Sequence, residues 1–146
     1  MNFNPKDLRD WLTTNDMGAV LVIRIILGYV FLVAGLQKFI FLEDMGPGRF
    51  EEMGYAFPAF TAYFVGFFEV LGGLFILLGF LTRYAAVPIM IIMLTAIVTT
   101  KFPVLADDGF WSFAHAVRLD FSMFMCALFM WFVGSDKKSL DHKYFG

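Results

Sequence analysis

The sequence predicts an all-α fold, a four-transmembrane-helix bundle forming a single membrane domain over 1–146, on three observations. First, 60% of its 146 residues are hydrophobic and 20 are Phe, against roughly 45–50% apolar content in soluble domains. That much apolar surface exceeds what one small water-soluble core hides. Second, four stretches, 18–41, 59–81, 84–102 and 113–133, approach the ~20 residues needed to cross the hydrocarbon. Third, these stretches are far too long for strands, and a backbone in lipid must satisfy its own hydrogen bonds.

Each element follows in order. The leader is polar and mixed in charge, with no short apolar region leading to a small-residue cleavage site. Asn4-Pro5 reads as a cap followed by proline at the first helical position, which predicts a short N-terminal interfacial helix. In the first span, Arg24, Gly28, Phe31, Gly35 and Lys38 share one stripe, with Gln37 beside it. In the second, Ala62, Gly66, Glu69 and Gly73 do so, and Gly72 widens the notch. Small residues mark close helix–helix approach in membranes, so the charges sit on packing faces. Thr82-Arg83 predicts a tight hairpin into the third span, where Pro88 removes one backbone bond. The segment 103–111 reads as a connection, with Asp107-Asp108-Gly109 as its turn. The fourth span begins with His115, Arg118 and Asp120.

Ionisable groups in such spans cost roughly 2.5–3.5 kcal/mol each at the bilayer centre and therefore mark the bundle interior. Counting about 1.5 Å per residue places Glu69 near the midplane and Arg24 roughly 9 Å inside its own boundary. The expectation is a central Arg24–Glu69 pair. A second, outer cluster is expected from Gln37, Lys38, Lys101, His115, Arg118 and Asp120, with Lys38 reaching outward or to Asp120. The central pair has three readings: a register device, the polar floor of a ligand pocket, or part of a proton or ion path.

Composition excludes several classes. The 11 Lys and Arg are scattered and the net charge is −2, which provides no phosphate-tracking face for nucleic acid. A single cysteine, Cys126, forms no internal disulfide or CxxC pair. No metal-ligand spacing, nucleophile–base pair or phosphate loop occurs, so the sequence assigns no catalytic residue and no metal ligand. Six Lys and Arg on one side (Lys6, Arg9, Arg83, Lys137, Lys138 and Lys143), against Arg49 and the span-end Lys38 and Lys101 on the other, predict both termini in the cytoplasm of an inner-membrane protein.

The segments 22–39 (VIRIILGYVFLVAGLQKF), 67–86 (FFEVLGGLFILLGFLTRYAA), 93–97 (MLTAI) and 134–141 (GSDKKSLD) together resemble the DoxX/DoxD family of small four-helix bacterial inner-membrane proteins. The pattern positions are Arg24, Gly35, Lys38, Glu69, Gly72, Gly73, Arg83 and Ser139-Leu140-Asp141. The chain departs from the pattern at Gly134-Ser135-Asp136. The resemblance implies the bundle fold and a role as an accessory subunit of a quinone-linked or redox-protective complex. Arg24, Gln37, Lys38 and Glu69 are then the candidate polar pocket, with quinone as candidate cofactor. Gly28, Gly35, Gly66, Gly72, Gly73 and Arg83 are the packing residues. Expected partners are the lipid bilayer, a soluble or membrane redox partner, and further copies or other subunits. A small transporter or lipid-handling protein, and a purely structural scaffold, stand as alternatives.

Overall fold

The computed structural model describes residues 18–145. The expected N-terminal interfacial helix lies outside the described residues. The elements are α1 (Gly18–Ile40), α2 (Pro47–Glu52), α3 (Pro58–Leu78), α4 (Thr82–Ala96), a π turn (Ile97–Lys101), α5 (Phe102–Asp108), α6 (Phe110–Val133) and α7 (Leu140–Phe145). Four helical runs are long and apolar enough to cross a membrane: Gly18–Ile40, Pro58–Leu78, Thr82–Asp108 and Phe110–Val133. One end of the bundle carries the α3–α4 turn and the C-terminal tail. The other carries α2 and α5. They are called the tail end and the loop end below.

Glycines set the spacing of α1 against α3. A Cβ at Gly35 would lie 2.7 Å from the Val70 nitrogen and 2.8 Å from the Gly66 carbonyl. One at Gly73 would lie 2.5 Å from the Leu32 nitrogen and 2.8 Å from the Gly28 carbonyl. The two backbones therefore touch, which is how small residues gain van der Waals contact where lipid offers no hydrophobic driving force. Leu27, Phe31, Ile76, Ile89 and Met130 are fully buried and fill the middle of the bundle. Exposed Val, Ile, Leu and Phe cover the outside, and Trp111, at the start of α6, is 84% exposed.

The third span corrects one expectation. The sequence reads 103–111 as a connection, yet the helix runs on to Asp108 and breaks at Gly109, whose φ is +85°. Pro103 has no N–H for the Thr99 carbonyl. The ladder accommodates this by widening: the Phe102 N–H reaches back to the Ile97 carbonyl, one residue further than in an α-helix. Thr99 and Thr100 donate their hydroxyls to the Thr95 and Ala96 carbonyls at 2.8 and 2.6 Å. A proline that would end a helix elsewhere produces a π turn here.

Candidate functional site

Glu69 pairs with Lys38, not with Arg24. Lys38 Nζ donates to Glu69 Oε2 at 2.6 Å, while Arg24 Nη1 donates to Asp136 Oδ1 at 2.5 Å. The reason is the direction in which helical side chains lean. Gly28 stands opposite Gly73 and Gly35 opposite Gly66, which places Glu69 level with Leu32. Arg24 is then about 12 Å away along the axis at 1.5 Å per residue. Side chains tilt toward the N-terminus of their own helix. In this antiparallel pair Arg24 tilts to the tail end and Glu69 to the loop end, so they diverge. Lys38, near the loop end of α1, tilts back into the bundle and meets Glu69. The same tilt overturns the expectation that Lys38 reaches outward or to Asp120. Asp120 lies 3.6 Å from Lys101 instead.

The tail end forms a polar latch. Asp136 receives buried Arg24, which packs so closely over Gly79 that a Cβ there would lie 2.5 Å from Arg24 Nη1. Gly79, with φ +65°, ends α3, and Leu81 follows with φ +47°, a conformation L-residues rarely adopt. The Asp141 carboxylate holds that turn by accepting the Leu81 and Thr82 N–H groups at 2.6 and 2.9 Å. Ser135 donates to Asp141 as well, and Arg83 reaches the Phe132 and Val133 carbonyls at the end of α6. The tail motif was legible as a pattern, but its partners were not, because nothing local indicates that 134–141 folds back onto residues 24 and 79–82.

Burial acts to raise the Asp141 carboxyl, but the hydrogen bonds from Thr82, Leu81 and Ser135 outweigh it and hold the group below the ordinary aspartate range. A lowered folded value means that Asp141 contributes stability above the ordinary range and loses it as pH falls through the lowered value. Asp141→Asn is therefore expected to lower the melting temperature of the detergent-solubilised protein at neutral pH. The gap to wild type should begin to narrow as pH falls below about 4 and close only below the lowered value. A gap independent of pH would contradict the assignment.

At the loop end lies a cavity of about 290 Å³ with the Lys38–Glu69 pair in its wall, next to Gln37. Thr99, Thr100 and Lys101 of the π turn line it from one side and Asp120 of α6 from another. Met45, Arg49, Phe50 and Tyr55 of the α2 segment also line it, and the Tyr55 hydroxyl is 3.1 Å from Thr99 Oγ1. That bond ties the α2 segment to the π turn, and π turns recur at functional sites. Arg24 of the expected pocket is absent from this cavity and belongs to the latch. His115 and Arg118 also lie apart from it: they are exposed, and His115 Nδ1 sits 2.8 Å from Arg118 Nη1. Sequence reasoning missed Thr99, Thr100 and Tyr55. The signal for the threonines was a polar Thr-Thr-Lys run two residues before a proline inside an apolar span. Among the described residues, no group of three His, Cys, Asp or Glu side chains is placed to hold a metal ion.

A family model described as DoxX matches residues 19–101. An uncharacterized membrane protein of Mycobacterium tuberculosis, Rv3486, is 43% identical over 131 residues, covering 86% of this chain and 80% of that protein. A Bacillus subtilis protein named "Putative oxidoreductase CatD" is 28% identical over 122 residues, covering 83% of each. No solved structure is a significant match.

Proposed function

The chain belongs to the DoxX family of membrane proteins, and on that footing we propose that it is an accessory membrane subunit of a redox complex. Its loop-end cavity would hold the headgroup of a quinone-class carrier. The observation that carries this reading is a mostly apolar cavity among the membrane-length helices whose wall includes the largely buried Lys38–Glu69 pair and the more exposed Lys101 and Asp120. Small-molecule sites have this make-up, an apolar lining with a few convergent polar groups. An apolar cavity of about 150 Å³ accepts benzene, so about 290 Å³ suits a substituted ring and the start of its tail. The carrier would supply the electron chemistry. The chain's own residues would position it, through Lys38 and Gln37, and keep water from it.

The oxidoreductase in one relative's name fits this class. Between the two ion pairs the interior is filled by Leu27, Phe31, Ile76 and Ile89, all fully buried, which offers no polar way through for a transported solute. With the tail end in the cytoplasm, as the Lys and Arg asymmetry favours, the cavity belongs to the opposite leaflet.

The test fills the cavity from its wall with Ala96→Phe. A short-tailed quinone titrated calorimetrically into the protein in lipid nanodiscs should bind saturably to wild type and about tenfold or more weakly to the variant. The variant should melt within a few degrees of wild type. Binding that Ala96→Phe leaves unchanged, or no saturable binding to wild type, would overturn the proposal.

A further inference from the structure

The hydrogen-bonding atoms that the cavity leaves unengaged call for a ligand that both donates and accepts. From them we infer that the site prefers a ring bearing a hydroxyl, the reduced quinol or a phenol of similar size, over the oxidised quinone. The inference rests on the cavity being the ring site argued above.

The Lys38–Glu69 pair sets the ring-hydroxyl preference at its own corner of the cavity. Lys38 Nζ has three N–H bonds, and two are engaged, to Glu69 Oε2 at 2.6 Å and to the Ala34 carbonyl at 3.4 Å. Glu69 Oε2 is taken, whereas Oε1 makes no hydrogen bond among the described residues. The nearby hydroxyl protons are spent: Thr99 and Thr100 donate to backbone carbonyls. At the Lys38–Glu69 pair the wall therefore presents one ammonium N–H beside one carboxylate oxygen, while Arg49, Lys101 and Asp120 add charged groups to other parts of the lining.

A quinone carbonyl is acceptor only. It satisfies the Lys38 N–H but sets its second lone pair against Glu69 Oε1 with no proton between them. A ring hydroxyl matches both atoms. Its oxygen accepts from Lys38 while its O–H is donated to Glu69, and both bonds are charge-assisted. Sites built around a ligand hydroxyl reject analogues lacking it because a buried group is then left unpaired. Gln37 is half-buried on the same wall, and its side chain makes no hydrogen bond among the described residues. Its amide carries both donors and an acceptor, so it serves either ligand and does not set the preference.

The experiment compares ligands of one prenylated skeleton by calorimetry under anaerobic conditions, with the full chain in nanodiscs. The hydroquinone should bind about tenfold or more tightly than both its dimethyl ether, of the same ring shape without O–H, and the quinone. Glu69→Gln should move the preference toward the quinone, because its amide oxygen faces Lys38 and its NH₂ then faces the ligand. A tail-less phenol that matches the prenylated hydroquinone identifies a soluble phenol as the source of this chemistry, and weaker binding identifies a membrane quinol. Quinone or ether binding as tightly as hydroquinone overturns the inference and leaves the ring site standing. If no ring compound binds, the proposed function fails with it. Should Glu69→Gln not fold, the wild-type ligand series decides alone.

Discussion

Gly73→Val is expected to force α1 and α3 apart and to destabilise the folded bundle severely. The added Cβ alone would lie 2.5 Å from the Leu32 nitrogen and 2.8 Å from the Gly28 carbonyl, and both are backbone atoms that no rotamer change can move. The helices would have to separate along their whole contact, which also lifts Gly35 from Val70 and Gly66. Ordinary overpacking costs about 1–3 kcal/mol, and this case should lie at or above the upper limit of that range. Gly72→Ala is the control. Its Cβ would meet the Ile89 Cδ1 methyl at 3.0 Å, the far end of a flexible side chain, so a loss below about 1 kcal/mol is expected. Unfolding by SDS in mixed micelles, followed by circular dichroism, measures both. Equal losses for the two variants would contradict the packing described.

The second large effect falls on Lys38. Lys38→Met leaves the buried Glu69 carboxylate without its cation. Removing one partner of a buried pair costs about 3–5 kcal/mol, whereas replacing both by apolar groups is often neutral. Lys38→Met should therefore be severely destabilising in the same SDS titration, and Lys38→Met/Glu69→Leu should recover most of the loss. Arg24→Met should behave in parallel with Asp136 as its partner, since that pair is the more deeply buried of the two. The double Lys38/Glu69 variant, stable but stripped of its polar wall, separates the architectural part of the pair from its part in holding a ligand.

Much of the architecture was readable from residues alone. Span lengths and apolar content yield the four-helix bundle, and the stripes through Gly28–Gly35 and Gly66–Gly73 identify the faces that meet. Which charges meet was not readable. Depth counting locates Cα atoms, while the opposed tilt of Arg24 and Glu69 adds separation that a residue count omits. Lys38 was misplaced for the same reason, its tilt turning a boundary residue into an interior one. Asp136 departs from the family pattern, yet its partner lies 112 residues away, beyond any local signal. Pro103 read as a stop because the sequence does not show that a π turn can carry a helix past it. Of the candidate pocket, Gln37, Lys38 and Glu69 line the cavity, and Arg24 does not.

The site reading rests on the interior charges forming two separate pairs, with one of them in the cavity wall. Double-mutant cycles on Lys38/Glu69 and on Arg24/Glu69 test this most directly. A coupling of about 2 kcal/mol or more is expected for Lys38 with Glu69, and a value within about 0.5 kcal/mol of zero for Arg24 with Glu69. Strong coupling of Arg24 to Glu69, with none between Lys38 and Glu69, would contradict that pairing.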